Sequence, residues 1–568
     1  MRDAPNINLA WTMLAAEECF RLGARHAVVS PGSRSAPLAV AFGRHAGIRV
    51  HVAHDERGGA FLALGIAKST GVPAVAVMTS GTAVANALPA MVEARMTRTP
   101  LLVFAADRPP ELRDCGANQA IPQANLLAGA ARWSFDMPCP GIEIPAEFVL
   151  STVDEAFARA CGHAGAQGGA VHLNWQFREP LSPEERPWDH AWLGSIARWS
   201  RSRAPWRMAM PPRASPVEID DAVVVAGRAP AVTRRSLEAW RGTMLADIAS
   251  DLAGAGTSGA DLVLRAANDG DGNPSLREAL RANSLAVVGD AVVSKRLNAW
   301  IAAQPSGVTV FGAGDPRVDA AHRADAVYAG PVEFAAAKRL KPHAGWKRAL
   351  SCATRAASKA LDSERALCEP TAIADATAAC GESRAHGTLF YGSSMPIRDA
   401  DFLAIHPPRH WHAGANRGAS GIDGLVASAA GHALGTGEPV VACIGDVSAL
   451  HDLGSLSLAA MIETPLVIVV LNNDGGGIFR YLPIAKHGDV FEALFTTPHG
   501  LSFAPVAKAL GLATESPTTR VAMKKAVAKA LKRGGATVIE VSCAREASET
   551  CRARVAKAAV DALAREFR

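Results

Sequence analysis

Two polar clusters follow apolar, strand-like runs toward the end of the chain. The run PVVACIGD ends in Asp446, and the run PLVIVVLNN ends in Asn473, shortly before three glycines that begin at Gly475. Carboxylate and amide oxygens are ligands that Mg²⁺ prefers, and the ion usually adds water and phosphate oxygens. Glycines let the backbone approach a diphosphate closely. These residue types predict that Asp446, Asn473 and a turn carbonyl near Gly475 converge on one divalent cation.

A purely structural explanation exists for each half of this pattern. An Asp at a strand end can cap the following helix, and Asn before glycine is typical of a tight turn. The pairing favours a ligand site over these explanations. Two sequential parallel strands joined by one crossover place both of their ends at the same edge of the sheet, where open α/β sheets bind ligands.

The elements that must position these residues alternate between strand and helix along the whole chain. Runs such as PAVAVMTS (73–80) and TPLLVFAAD (99–107) predict strands, and GGAFLALGIAKSTG (58–71) predicts a helix. Such alternation implies parallel sheets with right-handed crossovers. A stretch rich in Pro and Trp (180–194) interrupts the rhythm and predicts a linker. The fold class is therefore α/β, with three doubly wound parallel-sheet domains at 1–185, 186–345 and 346–568.

Composition limits the classes of function. The 568 residues are 49% apolar and 20% charged, with a net charge of +5 that is spread along the chain. Nucleic-acid binding would need a basic stripe with aromatic residues, and the sequence has none. No apolar run is long enough to span a membrane. The N-terminus lacks the pattern of a signal peptide. The ten cysteines form no metal-binding pattern, so we expect reduced thiols and a cytoplasmic location.

Several further motifs resemble one enzyme family. They are SPGSRSAPL (30–38), DERGGAFLALGIAK (55–68), TSGTAVANALPA (79–90), DRPPELRDCGANQAIPQ (107–123), NRGASGIDGL (416–425) and the pair Gly445-Asp446 with Asn472-Asn473. Together they are similar to the 2-succinyl-5-enolpyruvyl-6-hydroxy-3-cyclohexene-1-carboxylate synthases, which use thiamin diphosphate in menaquinone biosynthesis. The general thiamin diphosphate fingerprint has a glycine where this chain has Val447, a departure that leaves the cation ligands in place.

The resemblance implies a role for each domain and for the cofactor residues. The first domain would bind the pyrimidine of thiamin diphosphate, and the third would bind its diphosphate through Mg²⁺ or Mn²⁺. Glu56 would hydrogen-bond the pyrimidine and so promote removal of the thiazolium proton, while strand alternation would turn Asp55 to the opposite face. Gln119 would contact substrate near the reactive carbon. The implied cofactor-binding residues are Glu56, Ser394, Ile422, Gly445, Asp446, Ser448, Asn473, Gly475 and Ile478, of which Asp446, Asn473 and Gly475 bind the metal.

The implied substrates, 2-oxoglutarate and isochorismate, each carry two carboxylates. Arginine is the side chain best suited to bind carboxylates through paired hydrogen bonds. Ile422 would press between the two rings of the cofactor, and Ile478 and Phe479 would form an apolar wall. The substrate-binding residues implied by the motifs are Ser33, Arg34, Arg108, Gln119, Lys295, Arg296, Ser394, Arg398, Arg417 and Phe479.

Two other functions remain open from the sequence. One is a related thiamin diphosphate enzyme, such as acetolactate synthase or a 2-oxo acid decarboxylase. The other is a catalytically inactive regulatory protein that binds nucleotides, which the presence of Glu56, Asp446 and Asn473 together disfavours. The resemblance also implies a homodimer or a dimer of dimers. In that assembly the first domain of one subunit would face the third domain of another, so that two chains build each site.

Overall fold

The computed structural model describes residues 3–163, 167–219, 222–254, 256–270, 272–305, 307–313, 319–335 and 342–568. It divides into two compact units. The first unit comprises Met1–Pro212, Arg417–Gly437 and Asp452–Ala459, and the second unit comprises the remainder. The described strands form three parallel sheets of five or six strands and one small two-stranded sheet, which confirms the predicted fold class. The predicted domain boundaries remain a prediction.

The first unit contains one six-stranded parallel sheet with the order β2-β1-β3-β4-β6-β5. Strands β3 and β4 are buried along their whole length, as is typical of parallel strands covered on both faces. The strands are β1 His26–Val29, β2 Arg49–Val52, β3 Ala74–Met78, β4 Leu101–Asp107, β5 Trp133–Met137 and β6 Ala170–Gln176. The α-helices are Ile7–Leu22, Ala36–Arg44, Glu56–Thr70, Thr82–Asn86, Leu88–Thr97, Ala146–Cys161, Ala197–Ser200, Leu425–Thr436 and Leu456–Ala459.

Glycines bring two helices of the first unit into close contact. A Cβ atom on Gly65 would lie 2.2 Å from the carbonyl oxygen of Ser428, and one on Gly431 would lie 2.3 Å from that of Leu62. Only glycine fits at such a backbone approach. This packing joins the helix Leu425–Thr436 to the helix Glu56–Thr70.

The element boundaries differ from the sequence predictions at three places in the first unit. The strand predicted over 48–55 ends at Val52, and the next helix begins at Glu56. The single helix expected after β3 is two helices, and the second of them begins at Leu88-Pro89, where proline suits the first helical turn. The stretch predicted as a linker ends in a 3₁₀ helix, His190–Ile196, where the indole of Trp192 is buried and donates to the carbonyl of Ile144 at 2.7 Å.

The second unit contains two large parallel sheets. Their orders are β12-β11-β10-β8-β9 and β15-β14-β16-β17-β19-β18, and β13 pairs with β7. The strands are β7 Ser215–Val217, β8 Val223–Ala226, β9 Met244–Ala246, β10 Leu285–Val288, β11 Val308–Ala313, β12 Ala326–Ala329, β13 Val332–Phe334, β14 Gly387–Tyr391, β15 Trp411–Gly414, β16 Val440–Gly445, β17 Leu466–Asn472, β18 Ala513–Glu515 and β19 Ala536–Ser542.

Helices cover these sheets and form the crossovers. The crossover from β16 to β17 was predicted to contain one helix over 453–463, but this part is a 3₁₀ turn followed by one short α-helix that ends at Ala459. The α-helices of the second unit are Ala231–Glu238, Ala260–Asn268, Pro274–Ala279, Lys295–Ala302, Ala344–Ser363, Glu369–Glu382, Met395–Phe402, Asp446–His451, Gly488–Phe491, Ala504–Ala509, Arg520–Arg533 and Arg545–Glu566.

Each large sheet has an interior point at which the strand order reverses, and such switch points are where open α/β sheets bind ligands. The reversal lies between β1 and β3 in the first unit, and between β14 and β16 in the second. In the five-stranded sheet the reversal lies between β8 and β10, and the loops that follow these two strands are in direct contact. A Cβ atom on Gly227 would lie 1.9 Å from the carbonyl oxygen of Asp290. The two six-stranded sheets therefore offer the better ligand sites.

Candidate functional site

Asp446 follows β16 at the switch point of its sheet and is 2% exposed. Its carboxylate accepts hydrogen bonds from the amides of Val447 and Gly475, both at 2.8 Å, and it lies 3.1 Å from Nε2 of His499. Burial raises the pKa of Asp446 above its usual value, and these hydrogen bonds offset the effect only in part. A nearby positive charge, such as a bound cation, would offset the cost of burying this charged carboxylate.

Asn473 follows β17, the neighbouring strand, and it is also buried. Its Nδ2 donates to Oε1 of Glu369 at 2.7 Å. Its Oδ1 is buried and has no hydrogen-bond partner among the residues that the structure describes. Leaving a buried carbonyl oxygen unsatisfied costs about 1–3 kcal/mol, so this atom calls for a ligand.

Gly475 occupies a turn that requires glycine. Its φ is 131°, and a Cβ atom there would lie 2.0 Å from the carbonyl oxygen of Thr496. The sequence predicted that a turn carbonyl near Gly475 faces the cation. The structure shows the Gly475 amide donating to Asp446 and the Gly475 carbonyl accepting from Gly477 at 3.0 Å. A carbonyl oxygen has a second lone pair, so metal binding by Gly475 stays a prediction.

The side-chain oxygens of Asp446 and Asn473 are suitable ligands for a hard divalent cation. Asp446 supplies a charged oxygen, and Asn473 supplies an unsatisfied neutral one, which is the mixed oxygen set that Mg²⁺ accepts. Around Gly445 a Cβ atom would have nothing within 4 Å, so the backbone is open to a ligand there, and Ser448 is buried one turn into the next helix. No group of three or more His, Cys, Asp or Glu side chains that could hold a metal occurs within the described ranges.

A cavity of about 430 Å³ in the second unit gathers several predicted substrate residues. Lys295, Arg296, Arg398 and Ile478 all line it. Further lining residues that the sequence did not point to are Asp261, Arg265, Asp399, Tyr481, Glu549 and Arg552. The excess of cationic side chains makes this cavity suited to a ligand that carries carboxylates.

The cationic side chains of the cavity differ in how they are engaged. Arg296 already pairs with Asp269 at 2.6 Å and with Asp261 at 3.3 Å. Lys295 is exposed at the start of its helix, and Arg398 donates to the carbonyl of Ser394 at 2.6 Å. Ser394 has a φ of 75°, which is strained for a residue other than glycine and is typical of functional sites. The ring of Phe479 packs 5.6 Å from that of Phe495.

In the first unit, predicted substrate residues converge on Ser80, which follows β3 at the switch point. Arg108 donates to the Ser80 hydroxyl, and Nε2 of Gln119 donates to the Ser80 carbonyl at 2.8 Å. Burial and the charge of nearby Arg34 lower the pKa of Arg108. Two arginines held close together form a strong anion-binding position. Ser33 lies beside Arg34, and its side chain is exposed.

Glu56 opens the helix Glu56–Thr70, and its side chain is half-buried. The expectation that strand alternation separates it from Asp55 was wrong, because β2 ends at Val52. Asp55 instead caps the helix, and its carboxylate accepts from the amide of Arg57 at 2.9 Å. Capping still directs Asp55 toward the helix start and leaves Glu56 as the candidate to contact a ligand.

A loop of the first unit carries Arg417 and Ile422. Glu93 holds this loop, because its carboxylate accepts from the amides of Gly418 at 3.1 Å and Ala419 at 2.8 Å. Nη1 of Arg417 is buried and without a hydrogen-bond partner in the described part of the chain, and Ile422 is half-buried. The structure therefore gives Arg417 a donor that an anionic ligand could satisfy.

Some residues of these sites carried no signal in the sequence. Glu369 and His499 lie far along the chain from Asn473 and Asp446, which they contact, and Arg552 contacts Glu369. Ser80 lies within the motif TSGTAVANALPA (79–90), but nothing in the sequence indicated that Arg108 and Gln119 both contact it.

Among the described helices, none is long and apolar enough to cross a membrane.

Comparison with known proteins assigns three family models to the chain. They are the thiamine pyrophosphate enzyme N-terminal TPP binding domain at 12–127, the middle domain of thiamine pyrophosphate at 190–384 and the C-terminal TPP binding domain at 394–541. The strand ends described above fall within the first and last of these ranges.

Curated relatives match over nearly the whole chain. A 2-succinyl-5-enolpyruvyl-6-hydroxy-3-cyclohexene-1-carboxylate synthase from Rubrobacter xylanophilus is 40% identical and covers 95% of this chain and 96% of its own. The proteins of the same name from Salinibacter ruber and Aeromonas salmonicida are each 37% identical, covering 95% and 93% of this chain and 94% and 93% of their own.

Proposed function

The chain belongs to the family of 2-succinyl-5-enolpyruvyl-6-hydroxy-3-cyclohexene-1-carboxylate synthases, and we propose how its residues divide the work of that reaction. The enzyme is a thiamin diphosphate-dependent transferase of menaquinone biosynthesis. In the proposed reaction 2-oxoglutarate loses carbon dioxide, and its remaining succinyl unit adds to isochorismate.

One observation carries the proposal for the cofactor site. A buried carboxylate, Asp446, follows β16 beside the switch point, and Asn473 Oδ1, a buried oxygen with no partner among the described residues, follows the neighbouring strand β17. We propose that both bind Mg²⁺ or Mn²⁺, with Gly475 as a third ligand, and that this cation holds the diphosphate. Gly445, Ser448 and Ser394 would line the diphosphate site.

Thiamin diphosphate, when bound, supplies a thiazolium carbon that accepts the 2-oxo acid and stabilises the negative charge left by decarboxylation. Glu56 would share a proton with the pyrimidine ring, and its half-buried position strengthens such a hydrogen bond. Ile422 and Ile478 would supply apolar contacts to the cofactor. Gln119, which Ser80 holds in place, would donate to the substrate near its reactive carbon.

The arginines would bind the carboxylates of the two substrates. Arg34, Arg108 and Arg417 lie in the first unit, and Arg108 and Arg417 are at least partly buried. Lys295, Arg296 and Arg398 line the cavity of the second unit. Phe479 directly follows Ile478, which also lines that cavity. Fixed guanidinium groups select dicarboxylic substrates over monocarboxylic ones because each extra carboxylate gains a charged hydrogen-bonded pair.

The ten thiols, none in a disulfide, support a reducing compartment such as the cytoplasm.

Carbon dioxide release from 2-oxoglutarate tests this function. With thiamin diphosphate and Mg²⁺ present, we expect release that depends on both, and product formation only when isochorismate is added. Pyruvate is the control substrate, since it lacks the second carboxylate that distinguishes this family from acetolactate synthases and simple decarboxylases. Equal turnover of pyruvate would refute the assignment.

We also propose a homodimer in which two chains build each site. Glu56 lies in the first unit and Asp446 in the second, separated in the sequence by the middle family domain. Glu56→Gln and Asp446→Ala homodimers should each be nearly inactive. Mixed hybrids should regain activity, because one of their two sites carries both defects and the other carries none. If subunit exchange is demonstrated and activity stays absent, each site lies within one chain.

A further inference from the structure

Asn473 is oriented by a buried carboxylate behind it. Glu369 begins the helix Glu369–Glu382, is 3% exposed, and accepts from Nδ2 of Asn473 at 2.7 Å. The two side-chain oxygens of Glu369 accept from Asn473 and from Arg552. The amide nitrogen of Asn473 must therefore face Glu369, and its Oδ1 must face the opposite way, where it has no partner in the described structure.

Glu369 is itself held in position by hydrogen bonds to the helix Arg545–Glu566. Arg552 donates to its second carboxylate oxygen and, through Nε and Nη2, to both oxygens of Asp399 at 2.6 Å. The amide of Glu369 donates to the hydroxyl of Ser548 at 3.2 Å. Because Arg552 occupies one oxygen of Glu369, the other oxygen is left to accept from Asn473.

We infer that Glu369 is a positioning residue, which fixes the Asn473 side chain so that Oδ1 is presented to the divalent cation, with Arg552 and Asp399 as its support. This inference rests on the cation site of the proposed function. Outer groups that orient metal ligands commonly change metal affinity by about 10- to 100-fold when they are replaced. Arg552 and Asp399 also line the cationic cavity, so the same network joins the cation site to that cavity.

The variant Glu369→Gln tests the orientation. Arg552 can only donate, so it attracts the carbonyl of the new glutamine and leaves the glutamine NH₂ facing Asn473. Asn473 must then turn its own oxygen toward Gln and its NH₂ toward the cation. We expect Mn²⁺ to bind about 10- to 100-fold more weakly in the presence of thiamin diphosphate.

A reciprocal exchange provides the rescue. In the double variant Glu369→Gln with Asn473→Asp, the aspartate accepts from the glutamine NH₂ and keeps its other oxygen for the cation. The total charge of the pair is unchanged, and we expect Mn²⁺ affinity to recover most of the loss. Asn473→Asp alone places two carboxylates at hydrogen-bond distance, so we expect no gain in affinity despite the added negative charge.

The matched control is Asp375→Asn. Asp375 is a buried carboxylate on the same helix, and it pairs with Arg520 at 2.7 Å, away from the cation ligands. This variant should lower thermal stability and leave Mn²⁺ affinity unchanged. The free Mn²⁺ signal in electron paramagnetic resonance measures affinity directly. The apparent KM for Mg²⁺ should rise in Glu369→Gln, with kcat restored at saturating Mg²⁺.

The outcomes separate the inference from the proposed function. If the unaltered enzyme binds no Mn²⁺ with thiamin diphosphate, the cation site itself is wrong, and the role of Glu369 falls with it. If the unaltered enzyme binds Mn²⁺ and folded Glu369→Gln binds it equally well, Glu369 does not position Asn473. Should Glu369→Gln fail to fold, Asn473→Asp alone decides, because a clear gain in affinity would show that Glu369 does not constrain position 473.

Discussion

Removing the Glu93 carboxylate should destabilise the first unit strongly. This side chain is 3% exposed and accepts from Nζ of Lys68 at 2.7 Å, as well as from the amides of Ala419 and Gly418. Burial alone would raise the pKa of Glu93, but Lys68 and the two amides lower it below its usual value. Glu93 is therefore an ionised group at the centre of three hydrogen bonds.

The magnitude follows from what each substitution leaves behind. Glu93→Ala removes one partner of a buried ion pair, which typically costs about 3–5 kcal/mol. Glu93→Gln keeps an acceptor but loses the charge, so about 1–3 kcal/mol is expected. The control is Glu155→Ala, since Glu155 pairs with Arg159 and Arg207 near the surface, where the loss of such a pair costs about 0–1 kcal/mol.

Urea unfolding followed by tryptophan fluorescence measures these differences, and hydrogen exchange of the amides of Gly418 and Ala419 locates them. Because the folded-state pKa of Glu93 is lowered, its stabilisation is present above the unfolded-state pKa and is lost as the pH falls through the folded-state pKa. The difference between the parent protein and Glu93→Gln should thus shrink in acid. A free-energy loss in Glu93→Ala no larger than in Glu155→Ala, with unchanged exchange at the loop, would refute the reasoning.

Three further predictions concern other parts of the chain. Asp446→Ala should abolish thiamin diphosphate binding in titration calorimetry while circular dichroism stays unchanged, and unaltered binding would contradict the cation assignment. Burial and the Glu18 carboxyl raise the pKa of Asp154 to about 9, so its contribution to stability is lost as the pH rises toward that value. Asp154→Asn should remove this loss, seen as a flatter dependence of melting temperature on pH. Gly475→Ala should lower both stability and cofactor affinity, because its Cβ atom would meet Thr496, and a melting temperature equal to that of the parent would contradict this.

The sequence alone determined the sheet architecture and the strand ends that carry the candidate cation ligands. Parallel strands buried on both faces are recognisable as continuous apolar runs, and the polar residue that ends each run must lie at the ligand-binding edge. This local pattern located Asp446 and Asn473 correctly at the ends of β16 and β17. The resemblance to a family, carried by short motifs, added Glu56, Gln119 and the arginines.

Only the tertiary structure decided how these side chains are oriented and supported. Glu369 contacts Asn473 across 104 residues of sequence, and Arg552 contacts Glu369 across 183. No local periodicity encodes such a pair, because it forms only when the packing of helices on a sheet brings distant segments together. The same reason explains the errors near Glu56, since a helix cap, and not the alternation of a strand, sets the direction of Asp55. Apolar periodicity determines which elements form, whereas the hydrogen bonds that orient a ligand depend on where packing places each element's ends.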